Sequence, residues 1–196
     1  MQIFHTPLAK VIHWSFILLY SYGIFKQVDD LDNLEDNGLL ILEVSFATVF
    51  LIIVIMRYIY MRRFETFQGA NVPVHKVHTI FAKTVHRSMY LTFVMLPVTG
   101  LLIAGLFTQG HTDEDGFVIS IVLTLHESFA VISYILIATH VSAAIYSRLK
   151  GEGVWSSMVP ILNKEKPTTN KMITKISSVE NKIYDKVEGY FTSKKK

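Results

Sequence analysis

The chain has 196 residues, of which 51% are hydrophobic and 18% charged, and its formal net charge is +3. That apolar share exceeds what one soluble core of this length uses, so the surplus is expected to face lipid. With no cysteine, the chain is excluded from disulfides, iron–sulfur clusters, thiolate zinc sites and covalent c-type haem attachment, which leaves histidine and carboxylate ligation.

Four apolar stretches reach the roughly 20 residues that a helix needs to cross a hydrocarbon core. They run from Thr6 to Gln27, Gly38 to Tyr60, Lys83 to Phe107 and Phe117 to Arg148. The first is read as a retained helix, because Val11 to Phe25 has no small-residue cleavage site and leads into an acidic segment. In the third, Pro97-Val98-Thr99-Gly100 predicts a kink, tolerated where neighbouring helices satisfy the freed carbonyl. The fourth is longer than one span requires, which predicts a tilt or an interfacial start. After Pro167, Met172, Ile176, Val179, Ile183, Val187 and Tyr190 recur at helical spacing with lysines on the other faces. That pattern fits a cap lying on the bilayer surface, with docking to a partner as the alternative. The expected fold class is therefore an all-α membrane protein: a four-transmembrane-helix bundle over residues 1–160, then a basic tail over 161–196 with an amphipathic helix.

Charge sets the expected orientation. Segment 26–37 has one Lys against five acidic residues, and 108–117 has three acidic residues and no Lys or Arg. Segment 57–87 carries Arg57, Arg62, Arg63, Lys76, Lys83 and Arg87 against Glu65, and from Arg148 onward there are eleven basic and five acidic residues. Both termini are expected to be cytoplasmic and the two acidic loops outside.

Ionisable groups within a span cost about 2 kcal/mol or more each, so each one points to a role. The spans contain His13, Glu43, His86, His126, Glu127 and His140. His126 and His140 are 14 positions apart, roughly 21 Å along a helix and within about 40° of the same face. One helix thus presents an imidazole near each membrane surface. His13, three residues past Lys10, matches His140, eight residues before Arg148, in depth. Two layers of imidazole in a bundle suit two haems stacked across the membrane. Small residues from Ala138 to Ala144 leave room for a macrocycle, and Trp14, Phe16, Phe129 and Tyr134 are candidates to pack on its faces. His86, beside Arg87 at the inner start of the third helix, is a candidate propionate contact or a side chain reaching the interface. His5, His75, His78 and His111 fall outside the spans and are read as surface residues. Nothing in the pattern suggests a nucleic-acid partner.

Ile12-His13-Trp14, Leu96-Pro97-Val98-Thr99-Gly100, and Leu125-His126-Glu127 followed by His140 resemble the prokaryotic cytochrome b561 family over about residues 5 to 160. This family of four-helix b-type membrane cytochromes includes superoxide oxidase and is related to the cytochrome subunit of nickel–iron hydrogenase. The resemblance implies that His13 and His140 bind haem b on the cytoplasmic side and that His126 binds an outer haem. The family's second outer ligand is a His in a His-Val-Ser motif early in the second helix. Here that motif reads Glu43-Val44-Ser45, while the downstream Arg57 still aligns. Glu43 therefore has several candidate roles. It could ligate the iron opposite His126, accept a hydrogen bond while His111 supplies the imidazole, form a polar or metal cluster with His126 and Glu127, or bond in its protonated form to a neighbouring helix.

A bis-His iron has no open position and exchanges electrons only. The leading expectation is a cytochrome of the bacterial cytoplasmic membrane passing electrons between quinone and a periplasmic donor or acceptor, with quinone-linked superoxide oxidation implied by resemblance. The alternatives are a haem-bearing anchor subunit of a dehydrogenase, hydrogenase or reductase, and a non-catalytic haem sensor. Whether the chain is itself an enzyme stays open between these.

Overall fold

The computed structural model describes residues 6–26, 34, 37–63, 70, 74–159, 161 and 165–193. His5, most of the first acidic segment, Glu65 and the closing Lys194–Lys196 lie outside the described residues. Those described form six helices and no strand: α1 (Pro7–Phe25), α2 (Asn37–Met61), α3 (Lys76–Thr108), α4 (Phe117–Lys150), α5 (Val154–Met158) and α6 (Lys171–Ser193). The first four are long and apolar enough to cross a membrane.

Local chemistry sets the ends. The Ala9 backbone N–H donates to Thr6 Oγ1 at 3.2 Å, and Pro7 occupies the first helical position, where no N–H is needed. Past α3, the N–H groups of Gly110 and His111 donate to Phe107 and Leu106 carbonyls, with Gly110 at φ 90°. Pro97 lies inside α3, which continues through it to Thr108. Residues 76–82, which mix Lys76, His78 and Thr79 with apolar side chains, are also helical, so α3 begins seven residues before the expected span. The hydropathy signal starts only at the apolar run, but the preceding turns gain partners from α6: Lys76 N–H donates to Glu188 Oε1 at 2.6 Å, and His75 packs on Tyr184 with ring centroids 5.4 Å apart.

The chain divides into two compact units. One comprises residues 11–62 and 88–137, a four-helix arrangement of α1, α2 and parts of α3 and α4. Its core holds Phe16, Phe50, Val54 and Phe93, with Leu34, Ile103 and Ile119 forming a second cluster. Outward-facing Leu18, Ile41, Leu91 and Ile135 are more than half exposed, as lipid-facing side chains should be. At Gly23, an added Cβ would meet the Phe46 ring at 3.0 Å, so glycine allows α1 and α2 to approach. Tyr20 and Ser133 join α1 to α4 by a hydroxyl hydrogen bond of 2.5 Å. Ser133 in turn donates to the Ala130 carbonyl, so Tyr20 is the donor of that pair.

The other unit comprises residues 1–10, 63–87 and 138–196. Here α6 is tied to α4 through Glu180, which accepts from Tyr146 Oη at 3.0 Å and Lys150 Nζ at 3.1 Å. Glu165 accepts from the Gly153 and Ser156 N–H groups and so caps the amino end of α5.

Candidate functional site

Within the four-helix unit, residues of α1 to α4 line an open-sided cavity of about 480 Å³, inside the range of about 300–1,000 Å³ usual for small-molecule and cofactor sites. Its walls include Phe46, Phe50, Leu96, Pro97, Gly100 and Ile103, and one imidazole, His126, enters it from α4.

His126 is held from behind. Its Nδ1 lies 2.8 Å from Thr99 Oγ1, and that hydroxyl is within 2.8 Å and 3.0 Å of the Met95 and Leu96 carbonyls. A hydroxyl has a single proton, which it donates to a helix carbonyl, so its oxygen must accept from His126. The imidazole therefore carries its proton on Nδ1 and its lone pair on Nε2, the tautomer that a metal-ligating His needs. The α3 backbone at Gly100 runs close beside this ring: an added Cβ would stand 3.5 Å from His126 Cε1, in ordinary van der Waals contact. Ring orientation, a fixed tautomer, apolar walls and cavity volume together fit a haem group.

Glu43 lines the same cavity, and its carboxylate Oε2 forms an ion pair with Lys26 at the end of α1. Lys26 also stands 4.3 Å from the Phe46 ring centroid. Glu43 Oε1 is buried, and among the described residues no donor reaches it. Lys26 was legible as the lone basic residue in an acidic segment, but nothing local linked it to Glu43 across the connection. His111 is exposed in the turn after α3 and is not part of the cavity wall. Glu127 lines the cavity beside His126, yet among the described residues no three His, Asp or Glu side chains cluster closely enough to hold a bare metal ion.

The remaining expected site residues divide between the units. His13 is half-buried on α1 with its ring 6.4 Å from that of Trp14. Arg57 sits over Phe16 at 5.0 Å and near Tyr90 at 5.9 Å, with Nε buried and, among the described residues, no hydrogen-bond partner to that atom. An intramembrane guanidinium held by aromatic faces is costly, which marks it as a functional candidate. In the other unit, His86 and His140 approach edge to face with centroids 5.0 Å apart. His86 Nδ1 lies 2.7 Å from the Ala82 carbonyl and donates to it, leaving Nε2 with the lone pair. Spacing alone did not bring His86 to His140, because they lie on different helices.

Four helices long and apolar enough to cross a membrane define a multi-pass membrane protein. A family model described as prokaryotic cytochrome b561 matches residues 5–160, and the chain belongs to that family. No curated protein and no solved structure matches it. Membership carries haem b binding and membrane electron transfer.

Proposed function

We propose that this cytochrome passes electrons between quinone and a redox partner on the outer face of the cytoplasmic membrane. Residues 1–160 form the haem-bearing domain, and 161–196 form a basic tail on the cytoplasmic side. His13 and His140 are the axial pair of an inner haem b, and His126 is the protein ligand of an outer one. Haem supplies reversible one-electron chemistry. The chain's own contribution is to fix the imidazoles, keep water from the site with apolar walls, and hold compensating charge nearby at Lys26, Glu43 and Arg57. Superoxide is the small oxidisable substrate that the resemblance favours for the outer face.

The observation that carries this reading is His126, set in the Nδ1–H tautomer by Thr99 at the wall of a cofactor-sized cavity. The test is purification in detergent, a pyridine haemochrome assay, and stopped-flow mixing with quinol or with superoxide plus quinone. Haem b that is reduced or oxidised by these reagents in the isolated chain supports the reading. Electron transfer seen only with a co-purified protein assigns the chain as an anchor subunit. A chain that carries no haem overturns the reading.

A further inference from the structure

The helix α6 lies beyond residues 5–160, so family membership does not account for it. At about 100° per residue, its side chains sort into rows along the axis. Glu180, Tyr184 and Glu188 form the row that docks. Glu180 accepts from Tyr146 and Lys150 in the last turns of α4, and Glu188 accepts from the Lys76 N–H in the first turn of α3. Asp185, the remaining acid of the helix, stands 3.9 Å from His75 Nδ1. Met172, Ile176, Val179, Ile183 and Tyr190 form a second row, within an arc of about 60°, and each is at least half exposed. Lys171, Lys175, Lys182 and Lys186 form a third, across the apolar row from the docked one. All four are exposed, and among the described residues none is in an ion pair.

We propose that α6 is a binding surface for anionic phospholipid, its apolar row entering the acyl boundary while its four lysines hold headgroup phosphates. The docked row sets the depth. Glu180 and Glu188 are about 12 Å apart along the helix, close to the roughly 8–10 Å between packed helix axes, so α6 runs across the ends of α4 and α3. Those two helices are long enough to cross a membrane, so their ends stand at the headgroup level and a helix laid across them lies in the interfacial plane. An exposed apolar row at that depth meets acyl chains. The lysine stems pass along it and leave their ammonium groups in the headgroup layer. Charge selects the lipid. The acids meet the chain's own Lys150, Lys76 and His75, which leaves a cationic row beside the stripe. Next to an anionic surface each such lysine strengthens binding about fivefold, and a zwitterionic surface offers no such gain. Docking and lipid binding use different faces, so both hold together, and neither depends on the haem reading.

The test uses the full chain in vesicles of phosphatidylcholine alone or of equimolar phosphatidylcholine and phosphatidylglycerol, with nitrobenzoxadiazole on Ile176→Cys, the sole thiol of a cysteine-free chain. Quenching by a lipid carrying a nitroxide near the headgroup end of its acyl chain reads entry of the stripe. The expected result is blue-shifted, strongly quenched emission in the anionic vesicles and insertion at least about fivefold weaker in the neutral ones. A label on Ser178→Cys, away from the stripe, stays unquenched in both. Lys171→Gln, Lys175→Gln, Lys182→Gln and Lys186→Gln together lower quenching in anionic vesicles to the neutral level, and high salt does the same to the unsubstituted lysines. Equal quenching in the two vesicle types overturns the proposal, as does quenching that survives both high salt and the four substitutions. An Ile176→Cys label unquenched in both vesicles also overturns it; if that position is still shielded from a soluble thiol reagent in native membranes, the stripe belongs to a protein partner. No arm reads haem, so failure here leaves the electron-transfer reading standing.

Discussion

Thr99 gives His126 its tautomer by offering an acceptor to Nδ1, and the effect is separable from shape. Thr99→Val keeps the β-branch and deletes the acceptor, so haem affinity at the outer site is expected to fall about 10- to 100-fold, the usual effect of losing such an outer-shell partner. Haem retention during serial detergent dilution measures it, with an unchanged inner-haem spectrum as the internal control. Glu43→Gln acts differently, because it strands Lys26 at a site where the two side chains are 13% and 25% exposed. Its cost lies between that of a surface pair and a buried one, about 1–3 kcal/mol, and appears as a lower thermal midpoint. The inner site offers a three-way comparison. His13→Ala and His140→Ala should each abolish a low-spin signal, whereas His86→Ala should retain it with a shifted potential, because the His86 ring packs edge to face against His140. Loss of low-spin haem in His86→Ala, with retention in His13→Ala, would reassign the second ligand to His86.

Helix ends and helix docking decide the next level. α4 stops at Gly151, whose N–H donates to the Ser147 and Arg148 carbonyls at φ 78°, and a Cβ there would stand 2.1 Å from the Lys166 carbonyl oxygen. Gly151→Ala should therefore cost about 2 kcal/mol or more through the left-handed backbone alone, and limited proteolysis should show earlier cleavage beyond residue 161. The docking of α6 carries a pH dependence through Glu180. Burial alone would raise its carboxyl, but the Lys150 hydrogen bond and charge, with the Tyr146 and Tyr184 hydroxyls, hold it below the usual range; Glu152 lies on the other side of Lys150. Tyr184, buried beside that charge, is pushed up to about 12 and stays a neutral donor. A depressed carboxylate stabilises docking fully above its undocked value, about 4.3, and loses that contribution as pH falls through the lowered one. A fluorophore on Met172→Cys, unique in a cysteine-free chain, should report release of α6 on acidification. Glu180→Gln should weaken docking at neutral pH and flatten the acid-dependent part. These elements also show what was legible beforehand. The four spans could be read because lipid demands long apolar helices, and α6 because its stripe repeats at helical spacing. The mixed start of α3 could not, since the partners that meet it, Glu188 and Tyr184, lie more than a hundred residues away. The same holds for the site. His13, His126 and His140 stand out as costly residues in apolar runs, whereas Thr99 with His126, Lys26 with Glu43, and His86 with His140 are pairs made by helix register, which composition and spacing do not encode.

Across the whole molecule the asymmetry of basic residues is the remaining physical handle. Eleven Lys and Arg follow from residue 148 onward and six lie between 57 and 87, and such residues resist translocation. Lys26 is the one basic residue on the acidic side, and its pairing with Glu43 neutralises it locally, so it does not weaken the bias. The expected topology has both termini in the cytoplasm, with alkaline phosphatase fusions after Asn33 and Asp113 active and a fusion after Gly69 inactive; green fluorescent protein fusions give the reverse pattern. Lys26→Gln should leave this readout unchanged, because one exchange does not overcome the seventeen basic residues counted on the other side. Under that topology, His126 and the Lys26–Glu43 pair are expected in the outer half of the membrane and His140 in the inner half. A membrane-impermeant reagent applied to intact cells should then label Asp113→Cys and spare Met172→Cys. Labelling of Met172→Cys from outside would invert the chain and assign the outer cavity, with its single imidazole, to the cytoplasmic side.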